Sequence, residues 1–128
     1  ASNDTEAVES SSSESAGNDG IGVGPIKSVT LSDIDEAMAT EGEELFKTNC
    51  SACHKMDKRF VGPAMAKVTE RRKPEWIMNM IMNPEQMVKE DPVAKELLAE
   101  YLAPMANQSI TEDQARKILE YFRQEDSK

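Results

Sequence analysis

The residues best suited to chemistry form one short run, Cys50-Ser51-Ala52-Cys53-His54. It contains the only two cysteines and the only histidine of the 128 residues. Two thiols three positions apart, followed at once by an imidazole, form the C-x-x-C-H pattern that attaches a c-type haem. The thiols would add to the two vinyl groups of one porphyrin, and His54 would bind the iron from beneath the ring. The run therefore predicts one covalently attached haem c with its iron.

Three other uses of these residues remain open from the sequence. A zinc site would need two further strong ligands, which would have to be carboxylates because there is no other Cys or His. A thioredoxin-like redox pair normally lies in a βαβ context, and an exported protein could form a plain disulfide. Haem attachment fits best, because only 5% of the residues are aromatic and a large apolar cofactor would complete a small core.

An iron bound by His54 has a sixth coordination position, and a methionine thioether is its natural ligand since no second histidine exists. We predict that Met105 is this ligand, because it lies in the loop between the last two predicted helices and a loop can bring a side chain over the ring. Met65, Met80 and Met87 remain alternatives. The other four methionines are less suitable. Met56 is too close to His54 in sequence, and Met38 lies in the helix before it. Met78 and Met82 have the helical spacing typical of core packing.

Length and composition limit the chain to one small domain. With 24 acids, 15 bases and a formal net charge of -9, general nucleic-acid binding is not expected. No apolar run approaches the roughly 18 to 20 residues that cross a bilayer. The chain starts at Ala1 without a basic head or an apolar stretch, so we expect that an export signal has been removed.

The composition along the chain divides it into three parts. Residues 1–20 are rich in Ser, Asn, Glu and Gly and predict a flexible acidic tail or tether. Residues 21–31 combine spaced apolar side chains with Gly22, Gly24 and Pro25, which predicts an extended strap that could cover part of the haem pocket. Residues 32–128 are expected to form the haem domain.

Capping signals predict short helices throughout this domain, and no segment alternates as a strand would. Before the C-x-x-C-H run, one predicted helix follows Ser32 over residues 33–38 and a second starts at Thr40 and runs to about residue 49. After the run, a third helix starts at Pro74 and stops near Pro84, and a fourth starts at Asp91 and Pro92 and stops near Pro104. A fifth helix starts at the capping box of Thr111 and Gln114. The last has the clearest amphipathic pattern. The predicted fold class is therefore all-α.

Charge is distributed unevenly. Residues 1–46 contain eleven acids and one base, whereas residues 47–73, which surround the C-x-x-C-H run, contain eight bases and two acids. Such a polarised chain can orient its encounter with a charged partner. We expect the basic stretch to surround the exposed haem edge and to meet an acidic partner surface.

Over residues 35–125 the chain resembles a small single-haem class I cytochrome c of the bacterial type. The resemblance is carried by the run at 50–54, Gly62-Pro63, Trp76-Ile77, Asn83-Pro84, Met105 to Gln108, and Ile118 to Phe122. It implies the cytochrome c fold, with four to six short helices around one covalently bound haem and an extended N-terminal segment added.

The resemblance also implies roles for residues around the haem. The Pro63 carbonyl would accept the N–H of the His54 imidazole and orient it. Trp76 would either donate to a haem propionate or be a buried structural residue. Met105 follows a proline, whereas the family usually has a proline after its axial methionine. A Gly and an aromatic of the first main helix would cross the last helix: Gly42 and Phe46 against Ile118 and Tyr121.

An electron carrier, and not an enzyme, is the function that follows from two permanent iron ligands. The resemblance implies a quinol-oxidising complex as donor and a terminal oxidase or another reductase as acceptor. We expect an exported monomer in the periplasm or at the outer face of the cytoplasmic membrane, where residues 1–20 could serve as a membrane tether. The alternatives are a haem domain tethered to or cut from a larger membrane oxidase complex, and a gas-binding or peroxidatic haem protein.

Overall fold

A computed structural model describes residues 20–128, and the predicted tail falls almost entirely outside them. The described part contains six helices and no strand, which confirms the all-α fold class. No helix in it is long and apolar enough to cross a membrane. The helices are α1 (Glu36–Asn49), α2 (Val68–Arg71), α3 (Pro74–Met82), α4 (Pro84–Glu90), α5 (Pro92–Tyr101) and α6 (Glu112–Asp126).

One continuous helix replaces the two that were predicted before the C-x-x-C-H run. The Asp35 carboxylate accepts from the backbone N–H of Met38 and caps α1. The predicted cap Thr40 lies inside the helix, where its hydroxyl donates to the carbonyl oxygen of Glu36 at 3.0 Å. A threonine can make this bond within a helix, so its capping signal was a false one here.

The first and last helices cross at Gly42, as the resemblance implies. A Cβ at Gly42 would overlap the backbone carbonyl of Lys117 in α6, so only glycine permits this approach. One turn later the Phe46 ring packs against Tyr121 and Phe122, with centroids 5.6 and 5.7 Å away. The crossing brings the end of α1, and with it the C-x-x-C-H run, against the buried face of α6.

Prolines begin three consecutive helices, α3, α4 and α5, because the first helical position needs no N–H donor. The two shortest helices, α2 and α4, were not predicted. The helix α5 begins at the predicted Asp91 cap but ends at Tyr101, where Leu102 adopts a left-handed conformation with φ 58°. The end of α5 therefore precedes Pro104. The predicted capping box of Thr111 and Gln114 is confirmed at the start of α6.

Residues 20–35, the part before α1 that the structure describes, contain no helix and pack against α3. Asn79, which is fully buried, accepts from the Ile26 N–H at 3.0 Å and donates to the carbonyls of Ile21 and Ile26. Ile26 itself is buried in the hydrophobic core. The amide side chain of Asn79 thus satisfies backbone groups of this segment that a neighbouring strand would otherwise have to pair.

A buried carboxylate joins the same segment to α6. Glu120 is 1% exposed, lies between the guanidinium groups of Arg116 and Arg123, and accepts from the backbone N–H of Asp35. The two arginines also donate to the carbonyls of Thr30 and Ser32. Because every charge in the cluster has a partner, the buried Glu120 carboxylate can remain ionised.

Candidate functional site

A cavity of about 420 Å³ lies between the C-x-x-C-H run, the helices α3 and α5, and the loop after α5. Its walls are mostly apolar, with Phe46, Val68, Ile81 and Leu97 among them. Cys50, Cys53, His54 and Met105 also line it. An apolar cavity that presents two thiols, one imidazole and one thioether has the donor set of a covalently attached, hexacoordinate haem. The residues present therefore fit the predicted cofactor.

The His54 imidazole is held in one orientation by the segment that follows it. Its Nδ1 lies 3.1 Å from the Pro63 carbonyl oxygen, which can only accept a hydrogen bond, so Nδ1 carries the proton and Nε2 has the free lone pair. A Cβ at Gly62 would lie 2.6 Å from Cε1 of His54, so glycine makes room for the ring. The geometry leaves Nε2 available as a metal ligand.

Cys50 is half-buried and Cys53 is exposed, and no disulfide joins them. Burial, followed by the proximity of Cys53, raises the pKa of the Cys50 thiol to about 11. Reactive redox pairs have the opposite feature, a thiol pKa lowered by positive charge or a helix N-terminus. A thioredoxin-like role also lacks its βαβ context, since residues 20–128 form no strand.

The zinc alternative lacks a ligand set. Within the part of the chain that the structure describes, no three His, Cys, Asp or Glu side chains lie close enough together to hold a metal ion. A protein zinc site uses three or four such ligands. The C-x-x-C-H run therefore has no carboxylates positioned to complete it.

Three of the eight methionines line the cavity: Met65, Met80 and Met105. Met87, which was an alternative ligand, does not line it. Its side chain is fully buried against the segment before α1, where Sδ accepts from the backbone N–H of Val23 at 3.2 Å. The structure thus reduces the possible thioether ligands to three and retains Met105 among them.

Trp76 lines the cavity and is 6% exposed, but its N–H is used by the protein. The indole Nε1 donates to Oδ2 of Asp91 at 2.9 Å, and the same oxygen caps α5 by accepting from the N–H of Ala94. Of its two sequence-based roles, this contact favours a buried structural tryptophan over a propionate donor. Asp91 itself was predicted only as a helix start, because nothing in the sequence pairs it with Trp76.

The predicted strap covers no part of the cavity. No residue of 20–35 lines it, and the segment instead packs against α3, α4 and α6 through Asn79, Met87 and Arg116. The apolar side chains of this segment find a surface on the outer side of α3, where Ile26 is buried. No described residue of the strap supports the hypothesis that it covers part of the haem pocket.

Two arginines of the basic stretch belong to the cavity wall, which the sequence did not single out. Arg71 donates to the carbonyls of Ala64 and Ala66 and holds the segment after Pro63 in place. The Arg72 guanidinium lies over the Trp76 ring, 5.3 Å from its centroid. The sequence does not indicate which of the eight basic residues in this stretch line the cavity, because their orientation depends on the short helix α2.

Comparison with known proteins agrees with this site. The family described as Cytochrome c matches residues 39–125. A curated relative, cytochrome c-551 of Stutzerimonas stutzeri, is 47% identical over 36 residues, which are 27% of this chain and 35% of that protein. The matched part thus spans about a third of that relative.

Solved structures give longer matches. A cytochrome c from Rhodothermus marinus is 50% identical, with a TM-score of 0.80 over 81% of this chain and 90% of that one. An engineered form of that protein, bound to a carbene intermediate, is 48% identical, with a TM-score of 0.77 over 82% and 92%. This chain belongs to the cytochrome c family as a class I member, with covalently attached haem c as its cofactor.

Proposed function

We propose that this protein is a one-electron carrier of a respiratory chain, with thioether bonds at Cys50 and Cys53 and with His54 and Met105 as the iron ligands. Haem-based electron transfer is the activity that membership of the family implies. The observation that carries the finer proposal is the presence of both thiols, the imidazole and Met105 on one apolar cavity. Bound there, the haem supplies a ferrous–ferric couple that accepts and returns one electron.

The chain's own residues tune this couple. Pro63 accepts from Nδ1 of His54, which fixes the ring and makes Nε2 a stronger donor to the iron. A thioether from Met105 favours the ferrous state. The apolar walls act in the same direction, because an extra ferric charge is costly in a medium of low dielectric constant. Together these features predict a positive reduction potential.

Met105 is proposed over Met65 and Met80 because of the elements that carry them. Met80 belongs to α3, and Met65 is tied to the His54 segment by its N–H, which donates to the Lys55 carbonyl at 3.0 Å. Met105 belongs to the loop between α5 and α6, which is free of helical constraint. A loop can adjust the sulfur to the iron without moving a packed helix.

Met105→Ala tests the ligand assignment. We expect loss of the sulfur-to-iron charge-transfer band and a fall in potential of about 0.2 V, a fraction of the roughly 0.8 V range that axial ligands set. Reduced parent protein should resist carbon monoxide, and the variant should bind it. Met65→Ala and Met80→Ala serve as matched controls that keep the band. If the band persists in Met105→Ala but disappears in one of the controls, the methionine replaced in that control is the iron ligand.

Electron transfer without catalysis follows from this ligand set, since neither axial ligand leaves an open position on the iron. The carbene complex belongs to the engineered Rhodothermus marinus protein. The only histidine of the present chain is used as an iron ligand, so the cavity offers no second imidazole as a general acid or base.

Donor and acceptor are proposed from the family resemblance as a quinol-oxidising complex and a terminal oxidase or another reductase. Class I cytochromes c are typically exported, and we propose that this monomer works in the periplasm or at the outer face of the cytoplasmic membrane. A tether of residues 1–20 to that membrane is compatible with their composition.

The docking patch that we propose consists of Lys55, Lys58, Phe60 and Val61, just after the C-x-x-C-H run. Phe60 and Val61 are 50% and 43% exposed, and the Lys55 ammonium lies 4.8 Å from the Phe60 ring centroid. Val61 also lines the cavity. An apolar centre beside lysines fits a partner with an acidic rim, because apolar contact provides affinity and charge orients the approach.

Lys58→Glu tests this patch against Lys27→Glu, which changes the net charge equally on the segment that lies away from the cavity. With hexacyanoferrate(III) as an anionic oxidant, we expect Lys58→Glu to reduce the bimolecular rate several-fold at low ionic strength and Lys27→Glu to reduce it much less. At ~0.5 M salt the difference should vanish, because screening acts over a few ångströms. Equal effects of both variants would contradict the patch.

A further inference from the structure

The loop that carries Met105 has little internal support. It connects the end of α5 to the start of α6, and Leu102 at its beginning is 82% exposed with a positive φ. The only hydrogen bond within residues 103–109 that the described structure contains joins the Ser109 N–H to Oδ1 of Asn107. The position of Met105 therefore depends on how the two ends of the loop are held.

The second end of the loop is anchored by ordinary core packing. Ile110 is buried, and the next residue, Thr111, begins α6 with a reciprocal capping box that includes Gln114. Ile110 and five residues of α6 belong to the buried hydrophobic cluster. This end has the stability of the α1–α6 core.

The first end of the loop is held by one residue from another part of the chain, Arg59. Its Nη1 lies 3.2 Å from Oε2 of Glu100, and Nη2 donates to the Glu100 backbone carbonyl at 3.4 Å. The guanidinium carbon lies 4.0 Å from the centroid of the Tyr101 ring. We call these three residues the Arg59 clasp. It connects the segment after His54 to the last turn of α5.

The clasp acts from outside the cavity. Tyr101 lines the cavity, whereas Arg59 does not, so the tyrosine ring separates the guanidinium from the cofactor space. The carbonyl of Glu100 is one of the last-turn acceptors that a helix leaves without an internal partner. By donating to it and covering Tyr101, Arg59 restrains the point where the helix becomes a loop.

The exposure of the clasp indicates which property it controls. The side chains of Arg59 and Glu100 are 57% and 55% exposed, and such pairs contribute little to global stability. Local opening of a surface loop has a much smaller free energy than global unfolding. The contact can therefore change loop opening several-fold while it accounts for only a small fraction of the free energy of unfolding.

We propose that the Arg59 clasp is a positioning device that sets how often the 102–109 loop opens and Met105 leaves the iron. Arg59 touches neither ligand nor cavity, and it acts through Glu100 and Tyr101. The proposal rests on the proposed function in one respect, the assignment of Met105 as the sixth ligand.

The test uses the ferric holoprotein and imidazole as an external ligand. At saturating imidazole the binding rate is limited by departure of the internal ligand, so it reports the opening of the loop. We expect Arg59→Gln to raise this limiting rate about three- to fivefold, the effect of one exposed pair. Arg59→Lys keeps the charge but loses the planar fork, and it should give an intermediate rate. Backbone amides of residues 102–109 should also exchange faster with deuterium in Arg59→Gln.

Lys128→Gln is the matched control, since it removes an exposed ion pair, with Glu125, just beyond the end of α6 that lies away from the loop. Its limiting rate should equal that of the parent. A parent-like rate in Arg59→Gln, or an equal rise in Lys128→Gln, would overturn the clasp while the charge-transfer band of the parent still supports Met105 as ligand. A parent without that band would instead overturn the ligand assignment on which the clasp depends.

Discussion

Replacement of Gly42 by alanine is expected to destabilise the protein by about 3 kcal/mol or more, at the upper end of overpacking effects. The added Cβ would overlap the Lys117 carbonyl and lie 2.9 Å from the Ile118 nitrogen. These atoms belong to the backbone of α6 and cannot rotate away. The two helices would have to separate, which would also loosen the contacts of Phe46 with Tyr121 and Phe122. Denaturant unfolding of the holoprotein measures the change.

Helix propensity alone predicts that this substitution stabilises the protein, so the sign of the change distinguishes the two effects. Within a helix, alanine is favoured over glycine by about 1 kcal/mol, so a helix without the close crossing would be stabilised. Thr48→Ala, at an exposed position of α1, is the control and should change stability only slightly. A Gly42→Ala variant as stable as the parent would contradict the α1–α6 crossing described above.

Glu120→Gln is expected to reduce the free energy of unfolding by about 3 kcal/mol at neutral pH, because it leaves two partly buried guanidinium groups without their carboxylate. Arg116 and Arg123 have side chains 28% and 17% exposed, against 1% for Glu120. The segment before α1 should loosen as well, since Glu120 accepts from the Asp35 N–H. Urea unfolding and deuterium exchange of residues 26–35 measure the two effects.

The difference between the parent and Glu120→Gln should depend on pH. Burial raises the pKa of Glu120, but hydrogen bonds from Arg123, the Asp35 N–H and Arg116 lower it more, so its net pKa lies below the ordinary value. A carboxylate with a depressed folded pKa contributes stability above its unfolded pKa, near 4.3, and loses it as pH falls through the folded value. The difference should therefore be full at pH 7 and shrink below about pH 4.

Glu44→Gln, at an exposed site in α1, provides the control for the loss of one negative charge. It should change stability by only a few tenths of a kcal/mol. An equal effect of both substitutions, or a Glu120→Gln difference that grows towards low pH, would show that the buried cluster does not act as described.

Local sequence signals predicted those features that depend on neighbouring residues. The capping box at Thr111, the Asp91 cap and the proline at the start of α3 are confirmed, because the two caps accept from orphan N–H groups within one turn and the proline removes such a group. The same kind of signal failed at Thr40, whose hydroxyl bonds back to the preceding turn. The short helices α2 and α4 were missed because four and seven residues carry too little periodicity.

By itself, the sequence determined the chemistry of this protein. The spacing of Cys50, Cys53 and His54 is a covalent property of the chain, and it specifies haem c before any fold is considered. Tertiary structure decided what long-range packing controls. It placed the N-terminal segment behind α3 and not over the cavity, directed the Trp76 N–H to Asp91, and brought Arg59 to the end of α5. These contacts join residues between 15 and 53 positions apart, and no local pattern encodes which distant surfaces meet, because that depends on the packing of the whole core.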